Sequence, residues 1–434
     1  AIVLTSGNIS ERPILIDNDA ANEELKDIAD AVITYNRDIY NRVDDSVVFS
    51  VNNSERTIRR SRGYAPAPIQ LDFNVEGILA TGAELVNCFS IGKGKKAFMS
   101  QHIGDLKNLE TYDFFMESLE RYKGLFRTEP KIIACDMHPD YLSSNYAASS
   151  GLEIIKVQHH HAHIASCMAE NRIDGKVIGV ALDGTGLGTD GNIWGGEFLF
   201  AGYEDFERFA HFSYLPIPGG DIATSETWRT GLSILYSVFG TKLFGLNIPF
   251  VKNLDKTKAD FIISAIDKNI NCPLSSSAGR LFDAISAITC ICTVSKFHAE
   301  APMRLESVMQ KGISDSYSYS PGTEINFSCT VREIVSDILS GTPTPVISAK
   351  FHNTLLDVII ETSVSARDVS GINRIALSGG TFQNRYLLER SENMLREKGF
   401  EVFSHHAVPS NDGGIALGQL VIAATILKER GNIC

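Results

Sequence analysis

The sequence predicts an α/β fold, and three observations lead to this prediction. First, 44% of the 434 residues are hydrophobic and 21% are charged, which is the balance of a globular protein. Second, four short apolar runs end in glycine turns or polar residues, at 77–84, 131–138, 177–183 and 374–380. Third, helical patterns lie between these runs, and strands that alternate with helices indicate an α/β architecture.

The composition excludes several classes of protein. Disordered, collagen-like and coiled-coil chains have a different balance of residues. The chain carries 40 Lys and Arg against 52 Asp and Glu, a net charge of −12, which disfavours a broad nucleic-acid surface despite a basic run at 56–62. The longest apolar stretch, 417–427, contains Gly418 and Gln419 and falls short of the roughly 20 residues of a membrane span.

The cysteines and the N-terminus predict a reduced, cytoplasmic protein. The eight cysteines include no Cys-x-x-Cys pair, so a zinc ribbon is not expected, and their density is too low for a disulfide framework. No basic region precedes an apolar core at the N-terminus, so it is not a signal peptide. Because the chain lacks an initiator Met and begins in the strand-like residues 1–4, we expect a fragment of a longer protein.

The first 70 residues alternate between strand and helix patterns. After the strand-like opening, a helix is predicted from about Ala20, with apolar residues at 3–4 spacing as far as Val32. A strand is predicted at 46–51. The stretch 60–68 is basic and contains one glycine and two prolines, so its composition predicts a linker.

The remainder of the chain carries the apolar runs that define the predicted sheet strands. The segment from Ser213 to about Phe351 lacks such runs, is more helical, and is predicted to form a second lobe. A weak internal similarity relates residues 180–186 to 375–381. Two such turns suit a duplicated, two-lobed nucleotide-binding fold, and chance similarity explains them equally well.

The strongest local pattern is the histidine cluster Gln158-His-His-His-Ala-His163. It stands between an apolar strand and an apolar helix, so the histidines are predicted at a helix start. His159 and His163 are four residues apart, on one helix face with Cβ atoms about 5–6 Å apart, as two ligands of one metal ion require. His160 and His161 are expected to point toward a substrate or the surroundings of the metal. A solvated, tag-like cluster is the alternative, which the apolar flanks disfavour.

Two histidines do not complete a metal site, so carboxylates must come from distant segments. Asp183, predicted at the end of a strand, and Asp412, which precedes two glycines, are the candidates. The glycine turns at 183–188, 378–381 and 411–414 can present backbone amides to an anion. Ordinary turns also use Asp-Gly, but three such turns favour phosphate binding.

Two common nucleotide-binding motifs are absent from the sequence, and the segment that begins near Ser277 is another candidate for nucleotide binding. The sequence contains no Walker A pattern, and no Gly-x-Gly-x-x-Gly opens a helix. Ser277 can cap a helix, Gly279 permits close approach, and Asp283 falls one turn into that helix. An ordinary capped helix with a surface aspartate is equally consistent. His405 and His406 can be metal ligands, although paired histidines near a loop are more often solvated.

Together these motifs closely resemble the C-terminal half of the HypF family, the carbamoyltransferases of nickel–iron hydrogenase maturation. The resemblance runs over essentially the whole chain. It rests on residues 157–166, 182–188, 194–197, 218–221, 276–284, 301–306, 377–384 and 411–414. Residues 1–70 are similar to the end of a YrdC-like domain plus a linker. Residues 71–434 are similar to a Kae/TsaD-like carbamoyltransferase domain with its second lobe at roughly 213–351.

The resemblance implies a two-lobed actin–hexokinase-like ATPase fold of the Kae/TsaD type around a nucleotide cleft, preceded by a partial α/β YrdC-like segment. It implies that carbamoyl-adenylate, made from carbamoyl phosphate and ATP, donates its carbamoyl group to the C-terminal cysteine of the partner HypE. The product is a thiocarboxamide, the precursor of the iron cyanide ligands. Because no counterpart of the family's acylphosphatase domain is found, the chain is not expected to hydrolyse carbamoyl phosphate.

The family's functional residues carry over position by position. The metal ligands, and the catalytic residues, would be His159, His163, Asp183 and Asp412. This mixture of nitrogen and oxygen ligands suits Zn²⁺ or Fe²⁺ better than Mg²⁺ alone, with Mg²⁺ accompanying the nucleotide. Contacts to ATP or carbamoyl-adenylate would come from Asp183, Gly184, Thr185, Gly186, Gly279, Asp283, Gly379, Gly380 and Asn384.

Three other functions are open at this stage. Threonylcarbamoyl transfer to a tRNA adenosine, the activity of the sister family, would use the same fold and metal site, but the acidic balance and the triple histidine argue against it. A non-catalytic nucleotide-binding scaffold for a maturation complex would leave the metal and nucleotide motifs without a purpose. A zinc amidohydrolase needs a general base, and the histidine motif contains no Glu.

Overall fold

The computed structural model describes residues 5–9 and 12–431. The predicted opening strand at 1–4 and the terminal Cys434 lie outside the described residues. The chain forms two compact units. The first contains the described residues up to Gly175 and those from Ser404 onward, and the second is Lys176–Phe403.

Helices and strands are numbered in chain order. The helices are α1 Asn18–Glu24, α2 Leu109–Phe126, α3 Leu142–Ser149, α4 His159–Glu170, α5 Ile222–Ser225, α6 Thr227–Phe239, α7 Pro249–Lys252, α8 Lys256–Asp267, α9 Ala278–Ile288, α10 Glu300–Ser307, α11 Ser328–Leu339, α12 Thr344–Ser370, α13 Arg385–Glu397 and α14 Ile415–Glu429. The strands are β1 Val47–Val51, β2 Ser54–Arg59, β3 Ile69–Gln70, β4 Ile78–Ala80, β5 Ser90–Lys93, β6 Lys96–Met99, β7 Ile132–Asp136, β8 Glu153–Val157, β9 Val177–Leu187, β10 Ile193–Ala201, β11 Phe206–Phe212, β12 Leu215–Pro216, β13 Leu274–Ser275, β14 Glu324–Ile325, β15 Arg374–Ser378 and β16 Glu401–Ser404.

The first unit is built on a sheet with the strand order β3-β6-β5-β4-β7-β8. The predicted strands in the runs 77–84 and 131–138 are confirmed as β4 and β7, which pair in parallel, and β8 extends the sheet in parallel beyond β7. The buried face of α2 packs on this sheet. Phe89 of the sheet region meets Phe115 and Tyr122 of α2 edge to face, with ring centroids 5.7 and 5.1 Å apart.

The parallel strands β7 and β8 position the start of α4. Their register pairs Asp136, the last residue of β7, with Val157, the last residue of β8. Only Gln158 separates β8 from the first residue of α4. Because carboxyl ends of parallel strands meet at one edge of a sheet, Asp136 and the helix start lie side by side.

Helix α14 is the apolar element that holds α4 in place. Its residues from Ile415 to Ala424 are all buried, and it packs on α4. Gly418 makes this packing possible, since a Cβ there would lie only 1.9 Å from the carbonyl oxygen of Ala162 in α4. Among the described residues, no helix combines the length and hydrophobicity needed to cross a membrane.

The N-terminal segment departs from one of its predictions. The helix expected to reach Val32 ends at Glu24, and Ile28 is 71% exposed. An apolar stripe stabilises a helix only when it is buried. The linker predicted at 60–68 begins with the buried residues Arg60 and Ser61 and then runs largely exposed to Pro68. The guanidinium of Arg60 donates to the carbonyls of Tyr64 and Ala67 at 3.0 and 2.6 Å.

The strand predicted at 46–51 is confirmed as β1, which forms an antiparallel hairpin with β2. Asn52 and Asn53 connect the strands with positive φ angles of 50° and 58°, as a tight hairpin turn requires. The hairpin is bonded to the loop that precedes Asp412. The amide N–H of Thr57 donates to the carbonyl of His406 at 2.9 Å, and the side-chain amide of Asn411 donates to the carbonyl of Ile58 at 3.3 Å.

The second unit is built on a sheet with the order β12-β13-β10-β9-β15-β16, in which β11 pairs with β10 and β14. Strands β9 and β15 correspond to the predicted runs 177–183 and 374–380, and they pair in parallel. This unit is wider than the predicted lobe of roughly 213–351, since strands on both sides of that range join one sheet. The division between residues 70 and 71 stays a prediction.

Candidate functional site

The histidine cluster occupies the first turns of α4, as predicted. Helix α4 starts at His159, and the side chain of Gln158 caps it by accepting a hydrogen bond from the N–H of His161 at 2.8 Å. His159, His160, His161 and His163 are all buried. The alternative of a solvated, tag-like cluster is therefore wrong.

Asp412 lies opposite the two histidines that are four residues apart. Its Oδ1 atom is 3.7 Å from Nε2 of His159 and 3.8 Å from Nε2 of His163. Zinc bonds of about 2.0–2.2 Å place neighbouring tetrahedral ligand atoms about 3.4 Å apart. The first unit therefore brings three of the four predicted ligands to the spacing that one divalent ion needs.

The conformation around Asp412 is fixed by its neighbours. Asp412 begins a one-turn 3-10 helix, Asp412–Gly414, which leads directly into α14. The side chain of Asn411 accepts a hydrogen bond from the N–H of Gly413 at 3.0 Å. Gly414 is required by close approach, because a Cβ there would lie 2.3 Å from the carbonyl oxygen of Pro409.

His405 is buried and His406 is half-buried, and both contact the end of α4. Nδ1 of His405 is 3.0 Å from a carboxylate oxygen of Glu170, the last residue of α4. The other oxygen of Glu170 accepts from the amide N–H groups of His406 and Val408 at 3.0 and 3.3 Å. This carboxylate therefore ties the end of α4 to the loop that leads to Asp412, a role that sequence analysis missed.

Asp183 lies in the second unit, within β9 rather than at its end. The strand continues to Leu187, and Gly186 pairs with Trp194 of β10. The predicted glycine turn at 183–188 is therefore wrong as a turn, because β9 continues to Leu187. The ladder with β10 is irregular at this point, since its register shifts between Trp194 and Gly196. Oδ1 of Asp183 accepts a hydrogen bond from the N–H of Gly380 at 2.9 Å.

Three glycine-containing segments of the second unit approach one another at β9. A Cβ on Gly279 would lie 2.9 Å from Cα of Gly184. Gly379 has a φ angle of +102°, and a Cβ there would lie 2.2 Å from the carbonyl oxygen of Leu182. Most of the predicted nucleotide contacts (Asp183, Gly184, Thr185, Gly186, Gly279, Gly379 and Gly380) thus lie on segments that meet within this unit.

A buried carboxylate that sequence analysis did not assign supports one of these segments. Ser277 caps α9, as predicted, by accepting from the N–H of Arg280 at 3.1 Å, and it donates to the carbonyl of Gly184 at 2.6 Å. The adjacent Ser276 donates to the buried Glu197 at 2.6 Å, and the guanidinium of Arg208 donates to the same carboxylate at 2.7 Å. Glu197 belongs to the motif at 194–197, which contributes to the family resemblance, but sequence analysis assigned no role to its carboxylate.

Asn384 forms structural hydrogen bonds, in addition to its predicted contact with the nucleotide. Its side-chain oxygen caps α13 by accepting from the N–H of Leu387 at 3.0 Å. Its side-chain nitrogen is 3.0 Å from Nε2 of His352, whose Nδ1 is 2.8 Å from the carbonyl oxygen of Ser348. Burial lowers the pKa of His352 to about 4, so the ring is neutral and can accept from Asn384. The nucleotide contact of Asn384 stays a prediction.

Asp283 is buried in α9, so the alternative of a surface aspartate is wrong. Burial raises the pKa of Asp283 to about 6, although Nη1 of Arg280 lies 2.8 Å from its carboxylate and opposes the rise. The desolvation of this carboxylate therefore outweighs its ion pair. Perturbed carboxylates of this kind are enriched at functional sites.

We expect Asp283→Asn to remove a pH-dependent loss of stability. The carboxyl group of Asp283 stays protonated up to pH about 6 in the native state but only up to about 3.8 in the unfolded chain. Stability therefore falls as pH rises between these values. The difference corresponds to roughly 3 kcal/mol at neutral pH, and this is a net figure because the pKa of about 6 already includes the opposing attraction of Arg280. Urea unfolding between pH 4 and 8 should show a flatter profile and higher stability at pH 7 for the variant.

Asp337→Asn provides the matched control in the same unit. Burial raises the pKa of Asp337, but hydrogen bonds from Lys350 and Tyr317 outweigh burial and hold the pKa below its ordinary value. Its contribution to stability is present at neutral pH and lost as pH falls, so this variant should be less stable at pH 7. Equal profiles for the two variants would contradict the assigned environments.

The comparisons with known proteins identify the class of the chain. Residues 74–170 match the family model described as the HypF Kae1-like domain, and residues 179–419 match the carbamoyltransferase Kae1-like domain, second subdomain. Residues 1–61 match the Sua5, YciO and YrdC model, described as telomere recombination. The predicted α/β Kae-type fold with a YrdC-like segment is therefore confirmed, and the chain is a Kae1-like carbamoyltransferase domain protein.

The relatives define the particular family. "Carbamoyltransferase HypF" of Rhizobium leguminosarum bv. viciae is 36% identical over 100% of this chain and 56% of its own length. "Carbamoyltransferase HypF homolog" of Cupriavidus necator is 31% identical over 82% of this chain and 96% of its own length. A crystal structure of full-length HypF in the phosphate- and nucleotide-bound form has a TM-score of 0.94 at 48% identity, covering 98% of this chain and 67% of that one.

The chain belongs to the HypF family of carbamoyltransferases. It spans little more than half the length of the first of these curated relatives, 56%.

Proposed function

We propose that this chain transfers a carbamoyl group from carbamoyl-adenylate to the C-terminal cysteine of HypE during maturation of a nickel–iron hydrogenase. The observation that carries the proposal is the approach of Asp412 to the buried His159 and His163, with nitrogen–oxygen distances of 3.7 and 3.8 Å, in a chain of the HypF family. The reduced thiols of the seven described cysteines agree with the cytoplasmic location that we propose.

One divalent transition metal, Zn²⁺ or Fe²⁺, suits this group of ligands. Imidazole nitrogens and a carboxylate oxygen are the donors that these ions accept, whereas Mg²⁺ prefers oxygen ligands alone. His159, His163 and Asp412 would hold the ion, and the assignment of Asp183 as the fourth ligand stays a prediction. When bound, the ion supplies Lewis-acid polarisation of a carbonyl or phosphoryl oxygen.

The proposed nucleotide site lies on the second unit. The glycine segments around β9 pack closely on one another, and Asp283 supplies a desolvated carboxylate on the neighbouring helix α9. The crystal structure of full-length HypF in the phosphate- and nucleotide-bound form supports nucleotide binding in this family. We propose ATP or carbamoyl-adenylate as the ligand, with Mg²⁺ accompanying ATP.

The transfer itself exchanges one acyl bond for another. The cysteine sulfur of HypE attacks the carbamoyl carbon, the bond from that carbon to the AMP oxygen breaks, and AMP leaves with the electron pair while the thiol loses its proton. The product is the S-carbamoylated cysteine, which is the proposed thiocarboxamide. This chain contributes the site that orients the adenylate and does not use one of its own cysteines as the acceptor.

We expect this 434-residue chain to carbamoylate HypE from pre-formed carbamoyl-adenylate. Carbamoyl phosphate with ATP should not support transfer, because the resemblance to the YrdC-like domain is confined to the first 70 residues. Mass spectrometry of both proteins and quantitation of AMP measure the outcome. His163→Ala serves as the control that keeps the fold and removes a proposed ligand.

Other outcomes of this experiment decide between the alternatives. A carbamoyl adduct on this chain with none on HypE would contradict the proposed acceptor. A modified tRNA adenosine would favour the threonylcarbamoyl alternative, and nucleotide binding without any turnover would favour the scaffold.

A further inference from the structure

Asp136 contacts one of the proposed metal ligands from the side opposite the metal. Its Oδ2 atom lies 2.7 Å from Nδ1 of His159, and both side chains are completely buried. Its Oδ1 atom accepts the amide N–H of His138 at 2.9 Å. Both oxygens of the carboxylate are therefore engaged, one by the imidazole and one by the backbone.

We propose that Asp136 is a positioning residue of the metal centre, an inference that rests on the proposed metal site. A carboxylate only accepts hydrogen bonds, so Asp136 holds the proton of His159 on Nδ1. In that tautomer Nε2 carries a lone pair, which a cation can accept, on the side where Oδ1 of Asp412 lies 3.7 Å away. Carboxylates that bind the second nitrogen of a ligand histidine in this way fix its tautomer and its ring orientation.

The backbone brings Asp136 close to His159. Asp136 ends β7, Val157 ends the parallel strand β8 beside it, and His159 begins α4 two residues later. The ring of His159 lies between two carboxylates, with Asp136 2.7 Å from Nδ1 and Asp412 3.7 Å from Nε2. Within the described part of the chain, no lysine or arginine forms an ion pair with Asp136, so the imidazole is its charge-assisted partner.

A purely structural His–Asp pair is the competing explanation. It would require His159 only to fill space and satisfy Asp136, and it gives no reason for Nε2 of His163 to lie 3.8 Å from the same Asp412 oxygen. The convergence of both Nε2 atoms on one carboxylate oxygen favours the positioning role. The two explanations differ in what they predict for metal affinity.

The decisive variant is Asp136→Asn, which keeps the shape of the side chain. If the amide oxygen faces His159, the amide NH₂ meets the N–H of His138, and two donors oppose each other. If the amide flips, its NH₂ faces Nδ1 and stabilises the tautomer whose Nε2 carries the proton and cannot bind a metal. Chelator competition with Zn²⁺ should therefore show an affinity about 10–100-fold lower than that of the wild type.

Glu84→Gln is the matched control, since Glu84 is another buried carboxylate of the same unit and accepts from the N–H of Leu142 at 2.7 Å. This variant should lower thermal stability and leave Zn²⁺ affinity unchanged. A double-mutant cycle adds His159→Ala, in which Asp136→Asn should have no further effect on affinity. A second, independent loss in that background would show that Asp136 acts through general stability.

The outcomes separate this inference from the proposed function. If the wild type binds no Zn²⁺, the proposed metal site is wrong. If the wild type binds and Asp136→Asn binds within about twofold of it, the positioning role is wrong while the metal site stands. Should Asp136→Asn fail to fold, the Co²⁺-loaded wild type provides the test by NMR. A proton on Nδ1 of His159, assigned by its loss in His159→Ala, should be protected from solvent exchange, and its absence would overturn the proposal.

Discussion

Replacing His163 with alanine is expected to abolish binding of the proposed divalent ion and with it the proposed transfer activity, while the chain stays folded. The variant loses one of the three proposed ligands of the first unit and leaves His159 and Asp412 as an incomplete pair. Alanine is the strongest helix former, so α4 should persist. Elemental analysis after dialysis should fall from about one ion per chain to nearly none, with an unchanged circular dichroism spectrum.

His161→Ala is the companion variant on the same helix. His161 is also buried, but it has no place in the pattern of residues four apart, so the ion should be retained. Full occupancy in His163→Ala, or equal loss from both variants, would remove the basis for the assigned ligands.

Replacing Gly418 with alanine should strongly destabilise the first unit, although it adds only one methyl group. The new Cβ would lie 1.9 Å from the carbonyl oxygen of Ala162 and 2.6 Å from its carbon, both backbone atoms of α4. Neither can move without displacing the helix, so we expect a loss of about 3 kcal/mol or more in the free energy of unfolding. Because α4 carries the histidines and α14 follows Asp412, metal affinity should fall as well.

Gly124→Ala tests whether this loss reflects packing rather than helix propensity. Gly124 lies in α2 of the same unit, and a Cβ there would meet nothing within 4 Å. This variant should gain up to about 1 kcal/mol, because alanine loses less backbone entropy in a helix. Urea unfolding of both variants gives the comparison, and a neutral Gly418→Ala would show that α4 and α14 are not held at this distance.

The proposed ligands that are defined by local spacing could be identified from the sequence. His159 and His163 could be paired because four residues bring side chains to one helix face, and Asp412 stood out beside its glycines. Asp136 could not be found in this way. It precedes His159 by 23 positions, and only the parallel register of β7 and β8 brings the two together. The roles of Glu170 and Glu197 could not be identified from the sequence for the same reason, since their partners are distant in sequence.

The fold was predictable where strands had strong apolar patterns. It was uncertain where the extent of an element depends on its contacts with distant segments. The runs that became β4, β7, β9 and β15 were recognised, but the extension of β9 through its glycines depends on pairing with β10. The apolar spacing after Ala20 predicted a longer helix than forms, and Ile28 of that spacing is 71% exposed. Composition predicted a linker at 60–68, but it could not show that the guanidinium of Arg60 binds carbonyls of that same segment.

The β1–β2 hairpin sets a limit on how this protein can be divided into exchangeable modules. Family boundaries separate residues 1–61 from those that begin at 74, yet Arg56, Thr57 and Ile58 bond directly to the loop before Asp412. Cutting between the two families would strip that loop of these hydrogen bonds and leave the carbonyls of His405 and His406 without these donors. Any chimaera that grafts a different YrdC-like module must therefore keep residues 47–59 as part of the recipient, because this hairpin shapes the recipient's loop before Asp412.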